Sequence, residues 1–141
     1  MRSKILVVVL VISLVLSLVG CGGIVTPATD EAEIKSVIHG YFLAINDQNW
    51  SKAKGYCVYG SDRYYATCVL EDAINVLHQL YGSVTITVFV TISNVFVSGS
   101  YATAYGKGTM VITYGYYSES GSASATYYLQ KIGNNWKIYG P

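Results

Sequence analysis

The spacing of apolar residues divides the chain into three regimes. The first is an unbroken apolar run from Ile5 to Val19, preceded by Arg2 and Lys4. At about 15 residues it has the length of a signal-peptide core and falls short of the ~20 that a spanning helix needs. The second regime has helical spacing. Ile34, Val37, Ile38, Tyr41, Phe42 and Ile45 predict one helix over Asp30–Asn46, opened by a capping-box-like pair, Asp30 and Glu33. Asn46-Asp47-Gln48-Asn49 predicts a turn, and Trp50–Cys57 a shorter helix with Trp50, Ala53, Tyr56 and Cys57 facing inward. Val58–Thr67 is ambiguous, with a turn at Gly60-Ser61-Asp62. Ile74, Leu77, Leu80 and Tyr81 then predict a third helix over Val69–Tyr81, stopped by Gly82.

After Gly82 the period becomes two. Val84, Ile86, Val88, Val90 and Ile92 alternate with polar positions, the pattern of a half-buried strand. The phase breaks at Asn94, where Val95-Phe96-Val97 run together, and a β-bulge is expected there. Gly99-Ser100 turns the chain into a long strand over Tyr101–Tyr117, with a second bend at Gly106 and Gly108. A hairpin turn at Ser118-Glu119-Ser120-Gly121 leads to a strand over Ser122–Ile132. Gly133-Asn134-Asn135 then turns the chain into Trp136–Tyr139. Helices followed by a curved antiparallel sheet predict an α+β domain.

Leu18-Val19-Gly20-Cys21 changes this picture, because it resembles the lipobox of prokaryotic lipoproteins. That resemblance implies removal of residues 1–20, a diacylglycerol on Cys21 and a tether over residues 21–29. The protein is then exported and lipid-anchored on the extracytoplasmic face of the cell envelope. The alternative is an uncleaved membrane anchor. The chain after Cys21 is long enough for one domain, over residues 30–141, and too short for two. From Cys21 onward seven basic residues face eight acidic ones with no basic stripe, which argues against a nucleic-acid partner. All 14 tyrosines lie there too, suited to a cleft, an interface or plain half-exposed strands. Cys57 and Cys68 remain in a compartment where disulfides persist. A bridge between them is expected, the alternative being two buried free thiols.

Two segments resemble the nuclear transport factor 2-like superfamily, which includes ketosteroid isomerase, scytalone dehydratase and the SnoaL-type cyclases. They are the helix end Tyr41-Phe42-Leu43-Ala44-Ile45-Asn46 with Asp47-Gln48-Asn49-Trp50, and the closing hairpin Tyr127–Ile132, Gly133-Asn134-Asn135, Trp136-Lys137-Ile138. The resemblance implies helices packed into a cone-shaped sheet, with any site inside the cone. It places Tyr41 where the isomerases carry an oxyanion-hole tyrosine. Their carboxylate partners do not carry over: between Ser83 and Ser118 the only charged residue is Lys107, and Asp62 is the single acid near the base position.

Pocket candidates are therefore Tyr41, Asp62, Tyr101 and Tyr105, with no catalytic set, no metal site and no cofactor implied. His39 and His78 are expected to be solvated, and Glu71-Asp72 to sit at the start of the third helix. The leading functional expectation is a non-catalytic domain binding a small ligand or an envelope protein. The alternatives are a small isomerase, dehydratase or hydrolase using Tyr41 and Asp62, and a dimerising structural module.

Overall fold

The computed structural model describes residues 28–141. The apolar run, the lipobox with Cys21 and most of the tether lie outside the described residues. Three helices come first: α1 (Ala28–Asn46), α2 (Trp50–Gly55) and α3 (Asp62–Tyr81). Four strands come after them: β1 (Val84–Ser98), β2 (Tyr101–Tyr114), β3 (Tyr117–Ile132) and β4 (Asn135–Gly140). They form one sheet in the order β1-β2-β3-β4, every neighbouring pair antiparallel. This is the expected α+β architecture, with helices on one face of a curved sheet.

The curvature has a local cause. The β1–β2 register slips between Ile92 and Asn94, at the expected bulge, which bends the strand and increases its twist. Gly106 lies opposite Ile92, and a Cβ there would stand 2.8 Å from the Thr91 carbonyl oxygen and 2.9 Å from Ile92 Cδ1. Only a residue without a side chain fits the inside of this bend.

The concave face is apolar. Ile34, Ile38, Tyr41, Phe42 and Ile45 of α1 are buried together with Val84, Ile86, Val88, Ala104, Met110, Ile112, Tyr127, Leu129 and Ile138 of the sheet. Trp136 is 3% exposed and its indole N–H donates to Asp30 Oδ1 at 3.0 Å, which ties β4 to α1 as expected. Asp30 therefore does not cap α1. The helix begins two residues earlier, and the carboxylate turns to Trp136 and Lys131 instead.

Both outer edges of the sheet are partly satisfied by loop and helix ends. Asn46 exchanges two hydrogen bonds with the Val88 backbone on β1, at 2.6 and 3.2 Å, and Gln48 Nε2 donates to the Val84 carbonyl at 2.8 Å. At the other edge the chain beyond α2 runs parallel to β4, with bonds Val58 N to Ile138 O and Ile138 N to Tyr56 O. This bridge lies outside the named strands, so the sheet itself remains antiparallel. Covered edges remove the template for unwanted strand pairing.

The expected hairpin turn and the expected third helix are corrected. The hairpin between β2 and β3 turns at Gly115-Tyr116, not at Ser118–Gly121, with Tyr114 paired to Tyr117. A two-residue loop with glycine first, here at φ 54°, matches the twist of the flanking strands. Serines 118, 120, 122 and 124 instead continue as exposed strand positions. The third helix starts at Asp62, seven residues before Val69, because Ser61 caps it by accepting from the Tyr64 amide at 3.3 Å. Glu71-Asp72 is then mid-helix, and Glu71 pairs with Lys54 at 2.7 Å.

The earlier helix start also removes the expected disulfide: Cys57 and Cys68 are both free. With residues 62–68 helical, successive side chains point about 100° apart. Thr67 is the residue that meets Cys57, its Oγ1 lying 3.9 Å from the sulfur, and Cys68 turns aside.

Candidate functional site

α3 drives an inward stripe through the molecule at spacings of four and three: Arg63, Thr67, Leu70, Ile74 and Leu77 are its buried residues. Three of these are aliphatic and two are polar, and the polar two come first. Arg63 is 1% exposed, the one charged residue among the buried residues described. Its guanidinium carbon lies 5.6 Å from the Tyr41 ring centroid and 5.4 Å from that of Tyr127. Nε, Nη1 and Nη2 have no hydrogen-bond partner among the described residues, and neither does the buried Tyr127 hydroxyl.

The neighbouring hydroxyls are committed to each other. Thr67 has one hydroxyl proton and donates it to the Arg63 carbonyl at 2.7 Å. The 2.9 Å contact between Thr67 Oγ1 and the Tyr41 hydroxyl is therefore donated by Tyr41. Burial pushes the Tyr41 phenol up, opposed by the Arg63 charge. It pushes Tyr127 up to about 12 and the Cys57 thiol up to about 11. These three groups all hold their protons through the neutral range.

Among the described residues no acid pairs with the Arg63 charge. Each cation–π contact contributes ~2 kcal/mol when desolvated. Burying an ion costs several kcal/mol after relaxation, and the five N–H donors lose their water partners as well. Position adds to the deficit, since a cation in the first turn of a helix opposes the helix dipole. The acids are placed elsewhere: Asp30 with Lys131, Glu31 with Lys35, Glu71 with Lys54, and Glu119 with the Tyr114 hydroxyl through Oε1, its Oε2 buried without a partner among the described residues. Glu33, Asp47, Asp62 and Asp72 are not buried.

The sequence-derived candidates separate. Tyr41 is inside the cone. Asp62 precedes Arg63 in the same helical turn but stays outside the core, so Tyr41 and Asp62 do not share an enclosed site. Tyr101, 52% exposed, and Tyr105 alternate with buried Ala102 and Ala104, which puts them on the sheet face turned away from the helices. There Tyr101 meets Tyr139 and Tyr105 meets Phe96 edge to face. His39 is exposed as expected. His78 is not merely solvated: its ring nitrogens lie 2.7 Å from the Gly82 carbonyl oxygen and 2.8 Å from Gln48 Oε1. Among the described residues no group of three potential ligands is positioned to hold a metal.

Sequence reasoning missed Arg63, although the signal was present. The stripe Leu70, Ile74, Leu77 extended backwards by three and four residues reaches Thr67 and then Arg63. Two polar residues at its head left those positions ambiguous.

A groove of about 460 Å3 opens beside this cluster, lined by Ser51, Lys54, Cys57, Tyr59, Tyr64 and Lys137. Of its lining residues, Cys57 meets Thr67 on the core side.

Comparison with solved structures decides the fold. A conserved protein from Planctomyces limnophilus superposes with a TM-score of 0.65 at 12% identity, over 81% of this chain and 94% of its own. A nuclear transport factor 2-like protein of unknown function from Shewanella oneidensis gives 0.58 at 13%, over 79% and 95%. The chain has the nuclear transport factor 2-like cone fold. A ketosteroid isomerase-like protein from Erwinia carotovora atroseptica shares that cone with a TM-score of 0.57 at 14% identity, over 77% and 90%. No family model matches the sequence, and no curated protein matches it.

Proposed function

We propose that this chain is a lipid-anchored envelope protein whose cone domain binds a small ligand and does no chemistry on it. The anchor rests on Leu18-Val19-Gly20-Cys21. The binding role rests on one observation above all: the polar groups gathered around Arg63 are two phenols, a hydroxyl and a thiol, with no carboxylate or imidazole among them, and Glu119, on the same face of the sheet, is held by the Tyr114 hydroxyl instead. Proton transfer beside a carbonyl needs a group that gains and loses a proton near working pH. Burial moves Tyr41, Cys57 and Tyr127 away from that range. Tyr41 also donates its proton to Thr67, so it has none to offer an oxyanion.

The isomerase or dehydratase reading draws support from the ketosteroid isomerase-like neighbour and from Tyr41. The two readings separate in turnover assays with ketosteroid, epoxide and dehydratase substrates. Binding without turnover is expected, with Asp62→Asn leaving biological activity intact. A rate that Asp62→Asn removes would restore the enzyme.

A further inference from the structure

We infer that the ligand is a small monocarboxylate with an apolar or aromatic body, and that Arg63 grips its carboxylate. The inference rests on the binding role proposed above and adds the chemistry of the occupant.

The unmatched donors come first. Arg63 is fully enclosed, and its three nitrogens make no hydrogen bond of full geometry among the described residues, only a weak approach to the Tyr41 hydroxyl. Its planar fork matches the two oxygens of a carboxylate, and paired N–H···O⁻ bonds are about twice as strong as neutral ones. The unpartnered Tyr127 hydroxyl supplies a further donor close by. Charge selects the monoanion. Arg63 is the one cation among the buried residues described, so a dianion would leave one negative charge buried without a partner. The walls select the body: the rings of Tyr41, Phe42 and Tyr127 form an edge-to-face chain with centroids 4.9 and 5.9 Å apart.

In the conformation described, side chains cover the guanidinium, so binding requires them to part. The covering that can yield lies toward the groove, where Tyr59 and Tyr64 meet edge to face at 5.0 Å and Gly60 stands at φ 73° between α2 and α3. Entry there would pass Cys57, which meets Thr67.

A buried charge that waits for a ligand behaves differently from one that holds the fold together. The test uses the full chain in detergent, with benzoate and hexanoate as probes, benzamide and hexanamide as neutral counterparts, and inorganic phosphate as the dianion. Saturating carboxylate should raise the wild-type unfolding midpoint by at least about 3 °C, and the amides should not. Arg63→Met should bind the carboxylates at least about tenfold more weakly. Without ligand its midpoint should equal or exceed the wild type, because an unpaired buried ion has been replaced by an apolar chain. Arg63→Lys should keep the charge and still lose about tenfold in affinity with the fork. An Arg63→Met protein that unfolds earlier, with an unchanged or absent carboxylate response, makes Arg63 structural and overturns the inference. Amides stabilising wild type and Arg63→Met equally would leave the binding role standing and remove the anion. Stabilisation by phosphate alone overturns the monocarboxylate assignment. No response to any probe overturns the monocarboxylate assignment, whereas the binding role falls only to a turnover rate that Asp62→Asn removes.

Discussion

At the scale of single residues, side chains from α1 and the turn after it hold the helical layer to the sheet. Asn46 satisfies both backbone groups of Val88 on β1, a strand paired only on its other side. Asn46→Ala leaves those groups without a protein partner and should lower stability by about 1–3 kcal/mol, measured by urea denaturation. Asp30 does the same work at the opposite end of α1. The Trp136 hydrogen bond, then that of Lys131, lowers its pKa from the usual 3.8. A depressed carboxylate pKa gives stability that is present above the ordinary value and lost as pH falls through the folded one. Asp30→Asn should therefore lower stability at about pH 7 and flatten the acid limb, the gap to wild type closing as pH falls below about 4. An unchanged acid limb would mean the bond to Trp136 carries no net stabilisation.

Among the elements, α3 is the one whose extent matters for the site. Its first turn, which carries Arg63, exists because Ser61 caps it. Ser61→Ala should cost about 1 kcal/mol, with faster amide exchange confined to residues 62–65. Uniform loss of protection along α3 would contradict a local cap. β4 is the complementary case, short but anchored by a large ring. Trp136→Ala removes that ring and the bond to Asp30, and should cost ~3–5 kcal/mol in thermal or chemical unfolding. α3 also decides the cysteines. With Thr67 facing Cys57, the unreduced protein should show both thiols of Cys57 and Cys68 free to titrate with a thiol reagent in denaturant.

On the scale of the whole molecule, the proposed anchor and the cone can be tested separately. Cys21→Ser should abolish fatty-acid labelling and leave an unprocessed precursor. Labelling that survives the change would end the lipoprotein proposal. The outer face of the sheet carries rows of Ser and Thr, with hydroxyl pairs Thr109–Ser122 and Thr113–Ser118. A homodimer through that face remains a separate proposal, readable from the mass of the purified protein in solution.

Much of the fold was legible because period alone carries it. The α1 stripe, the alternation of β1, the bulge at Asn94 and the closing Trp136-Lys137-Ile138 strand each come from local residue order. Helical and strand geometry turn that order directly into faces. The sequence alone also excluded an acid–base pair from the strands between Ser83 and Ser118, since a missing carboxylate is missing in any conformation. Tertiary structure decided the rest. The periodic rule expects apolar residues inward, so a stripe headed by Arg63 and Thr67 stays ambiguous in sequence, and Asp62 beside it becomes the pocket candidate. Only packing against Tyr41 and Tyr127 made Arg63 an interior residue. Likewise the thiols of Cys57 and Cys68 look paired when counted, and stay apart because one turn of helix aims Thr67 at the sulfur instead.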